Sequence, residues 1–306
     1  MTAPLLVIVG PTASGKSDLA VGVAHRIGSR AEIVGTDSMQ VYRGMDIGTA
    51  TPTTDEREGV PHHLIDVWDP AHAVTVAEFQ AVARAAIGDI QVRGGVPIVV
   101  GGSGLYVSAV LDDLRFPGTD PDIRARWEAE LAEIGAERLH VRLAEVDPAA
   151  AQAILPTNGR RIVRALEVIE MTGEPFVARL PEPIEVLPAV RVGLDIPRDE
   201  LDARIEQRVD RMWEEGFVDE VRVLAVQGLA DTPTAARALG YQQVLALLAG
   251  EITEQQARQA TIDATRRFAR RQQRWFRRDA RIRWIRYDSP SAVDEALAAW
   301  EAGTAT

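Results

Sequence analysis

An apolar run, a glycine-rich loop and a helical pattern follow one another at the start of the chain. Leu5 to Val9 is continuously apolar, and the loop Gly10 to Ser17 follows at once. Leu19, Val23 and Ile27 then recur at the spacing of one helix face. The pattern predicts a buried strand that passes through a tight loop into an amphipathic helix.

Two further short strands are predicted, and each ends at a candidate functional position. Glu32 to Val34 leads to Asp37, and Pro97 to Val100 leads to a glycine-rich turn. Between them Thr75 and Glu78 form a capping box that opens a helical apolar pattern. Strands that alternate with helices predict an α/β fold with a parallel sheet.

The pattern changes near Phe116, because no strand-like run appears again until Val190. The intervening segment has helix signals such as Asp120 followed by a proline. We therefore predict a helical insertion domain over residues 117–186, with Pro181 to Pro188 as its return linker. The core domain would comprise residues 1–116 and 187–306. The alternative is that this segment continues the core domain.

The rest of the chain predicts one strand and three helices. The strand is Val190 to Ile196, and the helices are Asp199 to Glu215, Asp219 to Gln227 and Thr253 to Asp279. The last of these begins with a second capping box. The final dozen residues carry no informative pattern.

Composition adds several exclusions. The 306 residues are 46% hydrophobic and 26% charged, with a mean hydropathy of −0.07, as in ordinary soluble proteins. No apolar stretch approaches the roughly 18 residues of a membrane helix, and the first one lacks a basic flank. We expect a soluble, cytoplasmic protein that does not enter a membrane. The absence of Cys excludes disulfides, thiolate zinc sites and cysteine nucleophiles.

The charge is unevenly distributed along the chain. The net charge is −11, yet the segment Arg258 to Arg286 holds eleven Arg against two Asp. That segment carries +9, so the rest of the chain carries −20. A basic face on an acidic body is typical of a protein that binds a polyanion at one place. The alternative is a solvated helix face.

The strongest chemical signal is a complete phosphate-binding loop in a strand-to-helix context. Its glycines let backbone N–H groups converge on a di- or triphosphate, and the helix N-terminus adds positive potential. Lys16 supplies a point charge, and the Ser17 hydroxyl is placed to bind Mg²⁺. Lys16 is the only Lys among 34 basic residues, which indicates that this position needs an ammonium group.

Three other features are candidates for chemistry. Asp37 follows the second strand, where a parallel sheet gathers its ligands, and suits a proton acceptor; the alternative is a helix or turn cap. Gly101 to Gly104 favours close approach of a ligand, with Ser103 offering a hydroxyl. His62 and His63 raise the possibility of a metal site, but adjacent residues of an extended chain point to opposite sides.

The basic segment combines arginine with aromatic residues at helical spacing. Such a surface suits nucleic-acid phosphates and stacking on unpaired bases. The arginines are Arg266, Arg267, Arg270, Arg271, Arg274, Arg277 and Arg278, interleaved with Phe268, Trp275 and Phe276. A second basic patch, Arg160, Arg161 and Arg164, lies inside the predicted insertion.

The ordered set of motifs resembles the tRNA dimethylallyltransferases, also called tRNA isopentenyltransferases or the IPP transferase family. The motifs are GPTASGKS, TDSMQVYRGMDIGTA, PHHLIDVWDP, GGSGLYVSAVL, NGRRIVRALEV, RALGYQ and RRQQRWFRR. The resemblance extends from about Leu5 to Tyr287. It implies a cytoplasmic monomer that transfers a dimethylallyl group from dimethylallyl diphosphate to N6 of an adenosine in tRNA. That adenosine lies just 3′ of the anticodon, pyrophosphate is released and Mg²⁺ assists.

The resemblance also implies residue roles. Asp37 would be the general base, Lys16 and Arg208 would stabilise the leaving diphosphate, and Ser103 would lie near the reacting centre. The diphosphate would be bound by Gly10, Thr12, Ala13, Ser14, Gly15, Lys16 and Ser17, with Ser17 also on the metal. Contacts to the tRNA anticodon stem-loop would come from Asp37, Ser38, Met39, Gln40, Ser103, Arg160, Arg161, Arg164, Arg237, Gly240, Tyr241, Gln242, Arg270, Arg271, Arg274, Trp275 and Arg277.

Two other functions fit parts of the pattern. A small-molecule kinase would use the same loop for ATP, but it would not need an arginine-rich aromatic helix. A prenyltransferase acting on free adenine nucleotides fits the pattern better than a kinase does. The predicted insertion with its own arginine patch, however, favours the larger tRNA substrate. A purely RNA-binding module would leave Lys16 unexplained.

Overall fold

A computed structural model of the chain describes residues 4–177 and 182–304. The first residue of the predicted return linker, Pro181, lies outside the described residues. The strands are β1 (Leu5–Val9), β2 (Ala31–Gly35), β3 (His62–His63), β4 (Val96–Gly101), β5 (Ala189–Asp195) and β6 (Ile282–Arg286). The helices are α1 (Lys16–Ile27), α2 (Val76–Val92), α3 (Gly104–Leu111), α4 (Pro121–Ile134), α5 (Ala136–Val146), α6 (Pro148–Ala153), α7 (Gly159–Thr172), α8 (Arg198–Glu214), α9 (Phe217–Val226), α10 (Tyr241–Leu248), α11 (Glu254–Phe276) and α12 (Ala292–Thr304), with short 3₁₀ turns at Leu229–Asp231 and Ala235–Arg237.

The strands form one sheet in the order β3-β2-β4-β1-β5-β6, and every pairing is parallel. The predicted α/β fold is therefore confirmed. Every residue of β1 is buried, as expected for a central strand covered by helices on both faces. Because the strands are parallel, the loops that follow β1, β2 and β4 open at the same edge of the sheet, where ligands bind in this architecture.

The chain divides into two compact units. One comprises Met1–Asp112 with Glu185–Thr306, and the other is Asp113–Ile184. The predicted insertion boundaries, 117 and 186, lie within a few residues of these. The second unit contains α4 to α7 around a core that includes Leu139 and Leu166. Glu167 is fully buried there and accepts hydrogen bonds from Arg124 and Arg164 at 2.8 and 2.9 Å.

Local sequence signals proved accurate where capping side chains were available. The capping boxes at Thr75 and Thr253 both form, and the Asp120 side chain accepts hydrogen bonds from the first turn of α4. The short strands β3 and β6 and the helix α12 had no predicted counterpart. Helix α12 is tied to the start of the sheet, since its Trp300 donates to the Pro4 carbonyl at 2.7 Å.

Within the part of the chain that the structure describes, no helix combines the length and apolarity needed to cross a bilayer.

Candidate active site

The loop after β1 has the backbone of an anion-binding turn. Ala13 and Gly15 both have positive φ, 64° and 90°, and α1 begins directly afterwards at Lys16. The first turn of a helix leaves N–H groups without intrahelical partners, and these groups favour an anion. A positive φ at a non-glycine residue costs about 1–2 kcal/mol, so surrounding contacts must hold Ala13 in place.

Helix α8 supplies two of these contacts. Arg204 donates through Nε to the Ala13 carbonyl at 2.8 Å, and Arg208 donates through Nη1 to the Thr12 hydroxyl at 3.2 Å. Arg208 was predicted to be at the site from its resemblance to the family, whereas Arg204 was missed. Its i, i+4 spacing from Arg208 on one helix was the available signal.

A third contact comes from α11, where Gln272 accepts a hydrogen bond from the Thr12 N–H at 2.9 Å. Gln272 lies within the arginine-rich segment, and nothing in its local sequence distinguishes it from a surface residue. The loop is therefore held by two helices whose contacting residues follow it in the sequence by 191 to 260 positions.

The loop borders a cleft with an empty volume of about 790 Å³. Its lining brings together most of the predicted diphosphate residues and the predicted base. It includes Thr12, Ala13, Gly15, Lys16, Ser17, Asp18, Asp37, Gln40, Thr49, Ala50, His62, Arg204 and Arg208. Gly10 and Ser14 are buried beside each other instead, and a Cβ at Gly10 would lie 2.7 Å from the Ser14 hydroxyl.

Lys16 is a perturbed cation at the cleft wall. Burial and, to a smaller extent, the Arg208 guanidinium lower the pKa of its ammonium from the ordinary 10.5 to about 8. The carboxylates Asp37 and Asp18 act in the opposite direction. An anion bound at this loop would relieve the repulsion between the two cations, so the site is electrostatically prepared for a diphosphate.

Asp37 stands at the end of β2 with one oxygen engaged and one open. Its Oδ1 accepts from the N–H groups of Met39 at 2.8 Å and Gln40 at 3.4 Å. The turn-capping interpretation is therefore correct for that oxygen. Both bonds use Oδ1, so Oδ2 retains its capacity to accept a proton or a hydrogen bond.

The loop that carries Thr49 and Ala50 also forms part of the cleft wall, and a carboxylate holds the residues just before them. Glu220 of α9 accepts from the backbone N–H groups of Asp46, Ile47 and Gly48 at 2.9, 2.7 and 3.2 Å. It also accepts from the Tyr241 hydroxyl at 2.6 Å, and that partner together with burial raises the Tyr241 pKa. Glu220 was missed by sequence reasoning.

Tyr241 and Gly240 differ from the prediction that they contact tRNA. Both are buried, and a Cβ at Gly240 would lie 2.8 Å from the Phe217 ring. Their place in the RALGYQ motif is explained by support of the cleft wall. Their neighbours Arg237 and Gln242 are exposed.

Gln40 supports the same wall from the other side. Its side-chain amide donates to the carbonyls of Thr49 and Ala50 at 3.2 and 3.0 Å. Gln40, Ser38 and Met39 are partly exposed, as is Asp37. Gln40, which was predicted to contact tRNA, therefore also holds the loop that lines the cleft.

The structure corrects the sequence-based interpretation of the glycine-rich turn after β4. The turn was expected to leave room for a ligand; Gly101 does line the cleft, but neighbouring side chains fill the space beside Gly102 and Gly104. A Cβ at Gly102 would lie 2.5 Å from Nε2 of Gln272, and one at Gly104 would lie 2.2 Å from the Trp275 ring. Trp275, predicted to contact tRNA, is partly buried against the core. Ser103 precedes α3 and does not line the cleft.

The arginines of the basic segment fall into two groups. Arg266 and Arg270 pair with carboxylates of α8, Glu206 at 2.7 Å and Asp202 at 3.9 Å. Arg277 pairs with Asp195 of β5, although half of its side chain remains exposed. The others are exposed: Arg267, Arg271, Arg274 and Arg278. Spacings of four, three and four residues put these on one face of the helix and its extension.

The arginine patch of the second unit is divided in the same way. Arg164 donates to the carbonyls of Pro117 and Gly118 at 2.7 and 3.0 Å, so it helps to fix the start of that unit. Arg160 and Arg161 are exposed in the first turn of α7. Cations at a helix N-terminus oppose the helix dipole, which favours an anionic partner at that position.

The residues present are compatible with Mg²⁺. The described residues contain no group of three or more His, Asp or Glu side chains that could hold a metal. Mg²⁺ commonly uses few protein ligands and takes the rest from substrate phosphates and water. The Ser17 hydroxyl borders the cleft beside the phosphate loop and provides such a ligand. His63 bonds instead to Glu32 at 2.7 Å.

The sequence of the chain is similar to a known protein family and to individual proteins. The family model described as IPP transferase matches residues 40–279. A tRNA dimethylallyltransferase from Thermobifida fusca is 61% identical over 297 residues, which cover 96% of this chain and 93% of that protein.

Solved structures resemble the chain over nearly its full length. A tRNA isopentenylpyrophosphate transferase from Bacillus halodurans gives a TM-score of 0.72 at 40% identity, covering 99% of this chain and 98% of that one. A eukaryotic dimethylallyltransferase, captured acting on tRNA, gives 0.77 at 24% identity and covers 97% and 77%. At that identity the second likeness bears on the fold alone.

Proposed function

The chain belongs to the IPP transferase family, and we propose that it transfers a dimethylallyl group from dimethylallyl diphosphate to N6 of the adenosine 3′-adjacent to the anticodon of tRNA. One observation carries the proposal: Lys16, Arg208 and Asp37 line the same cleft at the carboxyl edge of the sheet. Cations for a leaving diphosphate and a base for an acceptor amine are the groups this transfer needs.

Departure of the diphosphate places negative charge beside the loop. Lys16, Arg208 and the first-turn N–H groups of α1 stabilise that charge more strongly as the bond to the allylic carbon breaks. Mg²⁺, held by Ser17 and phosphate oxygens, would neutralise further negative charge on the diphosphate. Because the loop is already braced by Arg204 and Arg208, it needs little rearrangement during the reaction.

Asp37 has the chemistry and position of the general base. The exocyclic N6 of adenine is a weak nucleophile, so transfer is assisted when Oδ2 of Asp37 accepts its proton as the new C–N bond forms. The adenine must leave its stack to reach the cleft, and a loop nucleotide does so at lower cost than a paired one.

The exposed arginines of α11 and α7 supply the surface for the RNA backbone. Arg271 and Arg274 are exposed on α11, and Arg160 and Arg161 are exposed on α7. Phosphate contacts of this kind provide affinity and orientation rather than base selection. The remaining features proposed for this enzyme are a cytoplasmic location and a monomeric state.

The experiment is a transfer assay with labelled dimethylallyl diphosphate and Mg²⁺. The acceptors are tRNA, AMP and an anticodon stem-loop in which the adenosine is replaced by purine riboside, which lacks the N6 amine. We expect label only in tRNA. Label in AMP would support the free-nucleotide prenyltransferase. A parallel reaction with labelled ATP tests the kinase, which phosphoryl transfer without any prenylation would support. Label in the purine riboside stem-loop would exclude N6 as the acceptor.

A further inference from the structure

Gln272 is a polar residue in an unusual environment. It lies near the C-terminal end of α11, the most basic of the described helices, yet it is only 5% exposed. A buried amide is costly unless both of its ends are hydrogen-bonded. Its environment therefore has to provide one donor and one acceptor in fixed positions.

The two partners of this amide belong to different loops. Oε1 of Gln272 accepts from the Thr12 N–H at 2.9 Å, and Nε2 donates to the Gly102 carbonyl at 2.9 Å. Thr12 lies in the phosphate loop after β1, and Gly102 lies in the turn after β4. These strands are neighbours in the sheet, so one side chain from α11 bridges the two loops at the edge that carries the cleft.

The close packing of the Gln272 amide against Gly102 is independent evidence for the bridge. A Cβ there would lie 2.5 Å from Nε2 of Gln272 and 3.0 Å from the Gly10 carbonyl. Three residues further along α11, Trp275 occupies the space above Gly104. Glycine at positions 102 and 104 thus fits the packing of α11 and leaves room for the amide.

We propose that Gln272 is a positioning residue for the diphosphate. Thr12 is held twice, because its N–H is bound by Gln272 and its hydroxyl is bound by Arg208. Together these bonds fix the loop upstream of the first-turn N–H groups and Lys16, which address the diphosphate in the proposed function on which this inference rests. Helix α11 thereby contributes to the diphosphate site as well as to the basic surface.

The physical consequence is preorganisation of the loop. Without the bridge, Thr12 loses a buried partner and the loop samples other conformations before it binds. A misplacement of about 1 Å is enough to reduce a rate by about 10²-fold. The effect concerns dimethylallyl diphosphate and pyrophosphate, and the affinity for tRNA is set elsewhere.

The test compares Gln272→Met with Gln273→Met in the full chain. Methionine keeps the length of the side chain and removes both hydrogen bonds. Gln273 is the adjacent residue on α11, and its amide donates instead to the Ile196 carbonyl at 3.4 Å. The measurements are the Kd for pyrophosphate with Mg²⁺, kcat, KM for each substrate and the melting temperature.

We expect Gln272→Met to weaken pyrophosphate binding about 10-fold and to lower kcat by about 10- to 100-fold. The KM for tRNA should stay unchanged, and Gln273→Met should match the wild type. A lower melting temperature with unchanged Kd and kcat would show a structural role only and overturn the proposal. If the wild type itself labels no tRNA, the proposed function fails, whereas an active wild type with an equally active Gln272→Met refutes this inference alone.

A second variant keeps the proposal testable if Gln272→Met does not fold. Gly102→Ala leaves Gln272 in place but puts a methyl group where the amide lies. It should reproduce the loss of pyrophosphate affinity. In a Gln272→Ala background, which removes the amide, the same change should cost less than it does alone, because only the 3.0 Å approach to the Gly10 carbonyl remains. Additive losses would contradict the bridge.

Discussion

Replacing Lys16 by methionine tests whether the charged ammonium at the phosphate loop lowers the free energy of unfolding. The Lys16 pKa is lowered from 10.5 to about 8 by burial and by the Arg208 guanidinium. At ~1.36 kcal/mol per pH unit, the charged form is disfavoured in the folded state by about 3 kcal/mol. Lys16→Met removes that cost and loses only a long hydrogen bond, 3.4 Å from Nζ to the Pro11 carbonyl.

The expected result is a protein that is more stable and catalytically impaired. At pH 7 without ligand, about 3 kcal/mol corresponds to a rise in melting temperature of roughly 5–10 °C for a unit of this size. Transfer should slow by about 10²-fold or more, because a preorganised charge on the leaving group is lost. Lys16→Arg should not restore the rate, since a planar guanidinium does not replace a compact ammonium.

The lowered pKa of Lys16 also predicts how the stability difference between Lys16→Met and the wild type changes with pH. Below about pH 8 the lysine is charged in both states, so the wild type bears the full cost. As the pH rises from 8 towards 10.5, the folded protein releases the proton before the unfolded chain does, and the cost disappears. The advantage of Lys16→Met should therefore shrink over this range.

Thermal melts between pH 7 and 10, with and without pyrophosphate and Mg²⁺, provide the assay. Ligand should raise the melting temperature of the wild type more than that of Lys16→Met, in which Arg208 and the loop N–H groups remain. Arg30→Met is the control, because Arg30 is exposed and its loss should change stability by no more than about 0.5 kcal/mol. A Lys16→Met protein that melts at or below the wild type at pH 7 would refute the reasoning.

Three further predictions concern the base, the basic surface and the cleft wall. Asp37→Asn should lower the single-turnover rate by about 10²- to 10⁴-fold with tRNA affinity retained, and a normal rate would remove Asp37 from the mechanism. Combined Arg271→Gln and Arg274→Gln should weaken tRNA binding and reduce the salt slope of log K by roughly 0.7–0.9 per lost phosphate contact; equal affinities and parallel slopes in a salt titration would exclude this face. Glu220→Gln should lower the free energy of unfolding by about 1–3 kcal/mol in urea titrations, because one side-chain oxygen no longer accepts hydrogen bonds from partly buried donors such as the Ile47 N–H. An unchanged midpoint would mean that the wall does not depend on the carboxylate.

The sequence by itself determined the features that depend on neighbouring residues. The strand–loop–helix at Gly10 to Ser17 and the capping boxes at Thr75 and Thr253 involve residues only a few positions apart, so local physics is sufficient to predict them. Alternation of strands and helices likewise predicted the parallel sheet. The candidate loop, Lys16 and Asp37 were found in this way, because motif chemistry follows from residue type and spacing.

Only the tertiary structure decided which side chains meet across long separations of the chain. Gln272 reaches Thr12 over 260 residues, and Glu220 reaches Ile47 over 173. Helical periodicity places Arg266 and Arg271 on different faces of α11. It does not reveal that Glu206 of α8 pairs with Arg266, whereas among the described residues no carboxylate of α8 pairs with Arg271. The turn at Gly102 was misinterpreted for the same reason: a glycine leaves space in any fold, and the packing of distant elements determines whether a ligand or a side chain such as Gln272 fills it.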